Sequence, residues 1–212
     1  MKQTLAILFG LFWLNHSVPA QDQELNNIFF CFNNGVTSLR NCPSTPEGKA
    51  TLIKKLGFDG LGGHHGVDYF KFRQALDQVA LPMPEIYVPM GLDADNRPTY
   101  DSGLKNILRD CRDRDLLVSL CLPDNNFADR HAQGDPIYAA GIRELADYCA
   151  PLNINIAIYP HANFYCETVD HSIRLVKKVD RKNVGTIFNL CHFLKVEGDR
   201  DWREALDRAL PY

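Results

Sequence analysis

Apolar runs recur along this chain at intervals of roughly 30 residues, and a stretch with helical periodicity follows each one, the spacing of βα units. The runs are Ile28–Phe32, Phe58–Gly62, Glu85–Pro89, Leu116–Leu122, Ile154–Tyr159 and Val184–Asn189. They are largely continuous rather than alternating, so both faces are expected to be covered, as in a parallel sheet. Parallel neighbours need long crossovers, and the intervening helices supply them.

The helices carry start signals. Thr45-Pro46-Glu47 reads as an N-cap, a proline in the first turn and an early acid, and Asp135-Pro136 is read the same way for the fourth helix. Tyr138, Ile142, Leu145 and Cys149 form an apolar stripe at steps of three and four, as do Val169, Ile173, Val176 and Val179 in the next helix. The expected fold class is therefore α/β, of the (β/α)8 TIM-barrel type, as one domain over residues 21–212. Six units are legible where a closed barrel takes eight and about 250 residues, so the barrel is expected to be incomplete on its C-terminal side. A doubly wound sheet is the alternative, but no glycine-rich phosphate fingerprint follows the first strand, and no nucleotide cofactor is expected. Open edges on the first and sixth strands would invite self-association.

Composition narrows the partners. With 45% hydrophobic and 23% charged residues in 212, the chain can bury one large core. A net charge of -3 argues against nucleic acid, which selects a basic face. Lys2, the apolar Leu5–Leu14 and the small residues before Gln21 read as a signal peptide over 1–20, too short for a bilayer span of about 20 apolar residues. The mature protein is thus expected to be exported, periplasmic or secreted, with no integral membrane span. Of seven cysteines most fall in apolar strands or on helix faces, so buried thiols are expected with at most one bridge, Cys31 with Cys42 being the nearest pair.

Chemistry on such a barrel sits at the C-terminal ends of the strands. The fifth run leads into Tyr159-Pro160-His161 and the sixth into Asn189-Leu190-Cys191-His192, so two imidazoles are delivered to one rim. His161 and His192 are the candidate catalytic residues, with Lys195 as an oxyanion partner. His64 and His65 after the glycine-rich close of the second run, Asn125 after the fourth, Phe164 and Tyr159 are candidate substrate contacts. Each also has a plain reading: a glycine-rich turn, an ordinary Pro-Asp-Asn-Asn turn, a hydrophobic lid. His16, His131 and His171 are read as uninvolved.

The stretch from His161 through Lys195, with Asn189-Leu190-Cys191-His192, resembles the xylose isomerase-like barrels known as sugar phosphate isomerases/epimerases. The resemblance spans about Ile28 to Tyr212. Family members commonly bind one divalent cation through a Glu, an Asp, a His and a Glu from the last four strands, the two Glu also moving the proton. By position the first Glu falls on Tyr159 and the Asp on Asn189, while His192 matches the His of the family's Asp-x-x-His pattern. A phenol and a neutral amide are poor ligands for a hard cation. If a divalent metal binds, His161, Asn189 and His192 are the ligands on offer, its identity open.

The resemblance implies an exported sugar isomerase or epimerase that moves a proton alpha to a carbonyl through an enediolate. Export favours a free or oxidised sugar over a phosphate ester. A keto-glycoside lyase working by β-elimination, and a non-catalytic carbohydrate-binding relative, are the alternatives. Mass spectrometry of the protein from its native host is expected to find a chain beginning near Gln21; intact Met1 protein in the soluble cytoplasm would contradict the leader.

Overall fold

A computed structural model describes residues 27–63, 68–123, 127 and 131–212. The leader, the expected cut before Gln21, His16, His64, His65 and Asn125 lie outside the described residues.

Among the described residues six strands with parallel pairings follow the expected order: β1 (Phe30–Phe32), β2 (Gly60–Gly62), β3 (Glu85–Pro89), β4 (Leu117–Cys121), β5 (Asn155–Ile158) and β6 (Val184–Thr186). They do not form one ladder. β1 pairs with β2, and β3-β4-β5-β6 form a separate four-stranded sheet. The break between β2 and β3 has a chemical cause. Pro82 and Pro84 precede β3 and have no N–H to give. What joins the two pieces is Leu61 N–H donating to the Pro82 carbonyl at 3.2 Å and Gly63 N–H donating to the Glu85 carboxylate. Gly60 permits the approach, since a Cβ there would stand 2.8 Å from the Pro82 oxygen.

Most runs shorten at their ends. Ile28 and Phe29 are exposed and lie outside β1. The sixth strand ends at Thr186, so Asn189 is not in the strand but caps the next helix. A small antiparallel hairpin, Gly91–Leu92 with Pro98–Thr99, was not legible in the pattern.

Among the described residues eight α-helices connect and cover these strands: α1 (Asn33–Thr37), α2 (Pro46–Lys55), α3 (Tyr69–Gln78), α4 (Leu104–Asp110), α5 (His131–Cys149), α6 (Val169–Val179), α7 (Leu190–Val196) and α8 (Trp202–Ala209). Thr45 caps α2 as expected, its hydroxyl accepting from Gly48 N–H at 3.1 Å. Asp135 does not cap α5. That helix begins at His131 and carries Pro136 inside it, which places Asp135 within the helix and its carboxylate in the interior.

Register divides the main sheet into two faces. Ile86, Val118, Ile156 and Val184 align, as do Val88, Leu120 and Ile158, and all are buried. In the intervening row Tyr87, Ser119, Ala157 and Gly185 align. One face is thus a band of branched aliphatics; the other is small and polar, with Glu85 and Tyr159 in the same alternation two residues either way. Phe188 and Trp202 pack on a second cluster, Val169, Ile173, Phe193, Ala205 and Ala209, which seats α7 and α8 against α6.

All seven cysteines are free, so the Cys31–Cys42 pairing is not made. Cys31 Sγ faces the Gly60 carbonyl at 3.5 Å and Cys42 Sγ the Pro43 carbonyl at 3.4 Å. At the outer edge of β6, Thr186 N–H donates to the Tyr212 carbonyl at 3.2 Å, so this edge donor is satisfied.

Asp135 joins α5 to α6. Its buried carboxylate accepts from Tyr165 Oη at 2.7 Å, His171 Nε2 at 2.8 Å and Arg174 Nε at 2.7 Å. Burial opposes ionisation, but the bonds from His171, Arg174 and Tyr165 outweigh it and hold the carboxyl well below its usual range. A depressed acid stabilises the fold at pH above its unfolded value, about 4, and that contribution is lost as pH falls toward the folded value. Asp135→Ala strands these donors and is expected to cost about 3–5 kcal/mol by denaturant unfolding at neutral pH. It should also remove part of the acid-induced loss of stability, and a variant as stable as the native chain would show that the network contributes nothing.

Candidate active site

A cavity of about 360 Å³ opens at the C-terminal ends of the strands, lined by Phe32, Asn33, Asn34, Gly63, Tyr87, Tyr159, His161 and His192. This volume lies in the range of small-molecule sites, roughly 300–1,000 Å³. The fold brings together three of the expected residues here, Tyr159, His161 and His192. The polar inner row supplies Tyr87, and the close of β1 and β2 supplies Phe32, Asn33, Asn34 and Gly63.

Glu85 lies beneath, buried, and holds Gly63 in place through that residue's N–H. Burial raises its pKa, against hydrogen bonds from Ser119 and the Gly63 amide. It was not recognised in the sequence as a supporting residue, although an acid opening an apolar run is a signal that could have marked it.

The two imidazoles lie against each other at a tilt, ring centroids 3.8 Å apart at 36°. Phe164 lies on the other expected partner: its ring stacks on His161 at 3.9 Å and 22°, so it braces the imidazole where a pyranose contact was expected. Lys195 is exposed on α7 and does not line the cavity, although its charge acts on His192.

Ala162 sets the protons of both rings. Its carbonyl lies 2.8 Å from His161 Nδ1, and its N–H donates to His192 Nδ1 at 3.2 Å. A carbonyl only accepts, so His161 donates from Nδ1 and, when neutral, has its lone pair on Nε2. An N–H only donates, so His192 offers the Nδ1 lone pair and, when neutral, carries its hydrogen on Nε2. The two rings are thus opposite in character, one an acceptor and one a donor. Burial, then the charges of His161 and Lys195, hold the His192 pKa below its ordinary 6.5.

Asn189 organises the rest. Its Oδ1 accepts the His192 backbone N–H at 3.0 Å as the N-cap of α7, and its Nδ2 donates to Tyr159 Oη. Phe193, buried in the second cluster, anchors α7 so that the preceding residue, His192, faces the cavity.

These commitments bear on a metal. Asn189 Oδ1 is held by the cap, His192 Nδ1 by Ala162, and the Tyr159 phenol is kept protonated by burial and then by the nearby charge of Glu85. Among the described residues no three His, Cys, Asp or Glu are grouped to hold an ion. Of the expected ligands His161 Nε2 and the second lone pair of Asn189 Oδ1 are what these bonds leave, and both are neutral. The described donors do not fit a resident hard cation, which takes several oxygen ligands.

A family model described as xylose isomerase-like TIM barrel matches residues 51–211. No curated protein matches the chain. Among solved structures, 3-keto-D-glucoside 4-epimerase from E. coli in its apo form superposes with a TM-score of 0.66 at 18% identity, over 86% of this chain and 74% of that one. D-psicose 3-epimerase in the presence of D-fructose does so at 0.57 and 20% identity, over 77% of this chain and 63% of that one. The IOLI protein with a bound zinc atom gives 0.62 at 16% identity, over 86% of this chain and 69% of that one. The chain spans less than two thirds of the psicose epimerase, and at these identities the likeness is one of fold. Among the described residues no helix is long and apolar enough to cross a membrane.

The His192 shift has a sign. Because folding lowers its pKa, the stability tied to the neutral ring is complete above about pH 6.5, the unfolded value, and is lost as pH falls through the folded one. His192→Gln cannot protonate there. It is expected to flatten the decline of Tm just below pH 6.5, and an unchanged slope would show that His192 is not held neutral.

Proposed function

Since the chain belongs to the xylose isomerase-like TIM barrel family, whose model matches well over half of it, we propose that it acts on a small carbohydrate beside a carbonyl, as a sugar isomerase or epimerase. The observation that carries this reading is the contact of His161 Nδ1 with the Ala162 carbonyl at 2.8 Å. With Nδ1–H spent on the Ala162 carbonyl, Nε2 is an acceptor on a residue that lines the cavity. Clamped between Phe164 and His192, the ring loses little freedom when it takes a proton.

In the proposed step the C–H bond beside the substrate carbonyl breaks and His161 Nε2 takes the proton. The electron pair forms an enediolate, and return of the proton to either carbon gives the isomer or epimer. No other oxidant or reductant enters. The phenol of Tyr159 and the amides of Asn33 and Asn34 match the hydroxyls of a sugar. We further propose that residues 1–20 act as an export signal, which would favour a free or oxidised sugar over a sugar phosphate as the substrate.

Incubation with ketohexoses and 3-keto-glucosides in D2O is the test. The native protein is expected to incorporate deuterium at the carbon beside the carbonyl, and His161→Ala to slow this by about 10²–10⁴, the range of a general base. His192→Ala should keep stability within about 1 kcal/mol, as a rim residue does, while slowing exchange. Full exchange in both variants would remove the histidines from the chemistry, and an eliminated product in place of an isomer would make the protein a lyase.

A further inference from the structure

We propose that Tyr159 O–H and His192 Nε2–H, both aligned by Asn189, form an uncharged cradle for the enediolate oxygen. The proposal rests on the reading of the site as a carbonyl-sugar enzyme and adds what holds the negative charge.

The Asn189 amide works in two directions. Its nitrogen donates to Tyr159 Oη. The phenol oxygen, having accepted there, turns its own hydrogen elsewhere, and Tyr159 borders the cavity. The ring is held edge-on to Tyr87 at 5.3 Å and 82° and to His192 at 5.9 Å and 71°, so the hydroxyl is fixed in position. The Asn189 oxygen accepts the His192 N–H at 3.0 Å and fixes the turn that presents the imidazole. Ala162 N–H completes the arrangement by occupying Nδ1. Two donors therefore border one cavity, and neither bears a formal charge.

The step balances with these groups alone. The proton passes from carbon to His161 Nε2, the C–H electron pair becomes the C=C bond, and the carbonyl π pair moves onto oxygen. That oxygen then accepts from Tyr159 and His192, and the reverse movement restores the carbonyl. A preorganised donor of this kind contributes about 10²–10³ in rate. Asn189 touches no reacting atom and is a positioning residue.

Asn189→Asp separates the cradle from a metal site. Aspartate caps a helix as well as asparagine does, so α7 is kept. A carboxylate only accepts, so it would draw the Tyr159 hydrogen away from the cavity and reverse the bond. It also supplies the charge that a divalent cation lacks in the native chain. In the presence of EDTA, Asn189→Asp and Tyr159→Phe are each expected to lower kcat for deuterium exchange by about 10²-fold with KM little changed. Exchange in Asn189→Asp that is retained, or that rises on adding Mg²⁺ or Mn²⁺, would overturn the cradle.

Two measurements free of turnover keep this apart from the enzymatic reading. Long-range ¹H–¹⁵N spectra of the full chain are expected to show neutral His192 with its hydrogen on Nε2 and His161 with its hydrogen on Nδ1; the opposite tautomer at His192 overturns the proposal. A four-carbon aldonohydroxamate, a mimic of an enediolate, should bind in EDTA and lose at least tenfold in affinity in Tyr159→Phe. Equal affinity in native and variant overturns the cradle. If the native protein exchanges no sugar hydrogen while both measurements come out as expected, the enzymatic reading fails and the donor pair stands.

Discussion

Register in the parallel ladder is the constraint from which the rest of the molecule follows. Once Tyr87, Ser119, Ala157 and Gly185 are opposite one another, every second residue of four strands is committed to the inner face. The residues between them, Ile86, Val118, Ile156 and Val184 with Val88, Leu120 and Ile158, supply the aliphatic face and are buried. A slip by one residue would send this aliphatic set inward and carry Glu85, Tyr87 and Tyr159 the other way. The polar inner row is therefore tolerated because the other face supplies the apolar burial, and the cavity at the rim continues that row.

Much of this was legible in the chain. Glu85–Pro89 was read with its observed bounds, the Thr45 cap and the stripes of α5 and α6 are where periodicity placed them, and His161 and His192 do meet. The misreadings have particular causes. Asp135-Pro136 looks like a helix start, but α5 already runs from His131, and a carboxylate free of capping is drawn to His171, Arg174 and Tyr165. The sixth run was drawn to Asn189, yet the ladder ends at Thr186 because Asn189 is a better cap than a strand residue. Between β2 and β3 two prolines, visible as letters, interrupt a ladder whose need for donors becomes evident when neighbours are known. Of the cavity residues, Tyr87 carried a signal in its alternation with Ile86 and Val88, whereas Asn33 and Asn34 resemble any loop.

Relatives of similar fold include sugar epimerases, and one related structure holds zinc. The same rim here is furnished differently. Neutral groups stand where charge would draw a cation, and their hydrogen bonds are already made within the protein: amide to phenol, amide to helix start, main chain to both imidazoles. Such a site is assembled before any ligand arrives, so little reorganisation accompanies binding.

The part played by Ala162 has a consequence for how such a site changes over generations. Its methyl group takes no part in setting the tautomers; the work is done by its N–H and its C=O, which nearly every amino acid shares. Replacement of the side chain leaves the instruction intact, whereas a single insertion or deletion in the turn from Pro160 to Cys166 would carry these two groups away from the rings. The division of labour between His161 and His192 is thus written in loop length rather than in residue identity.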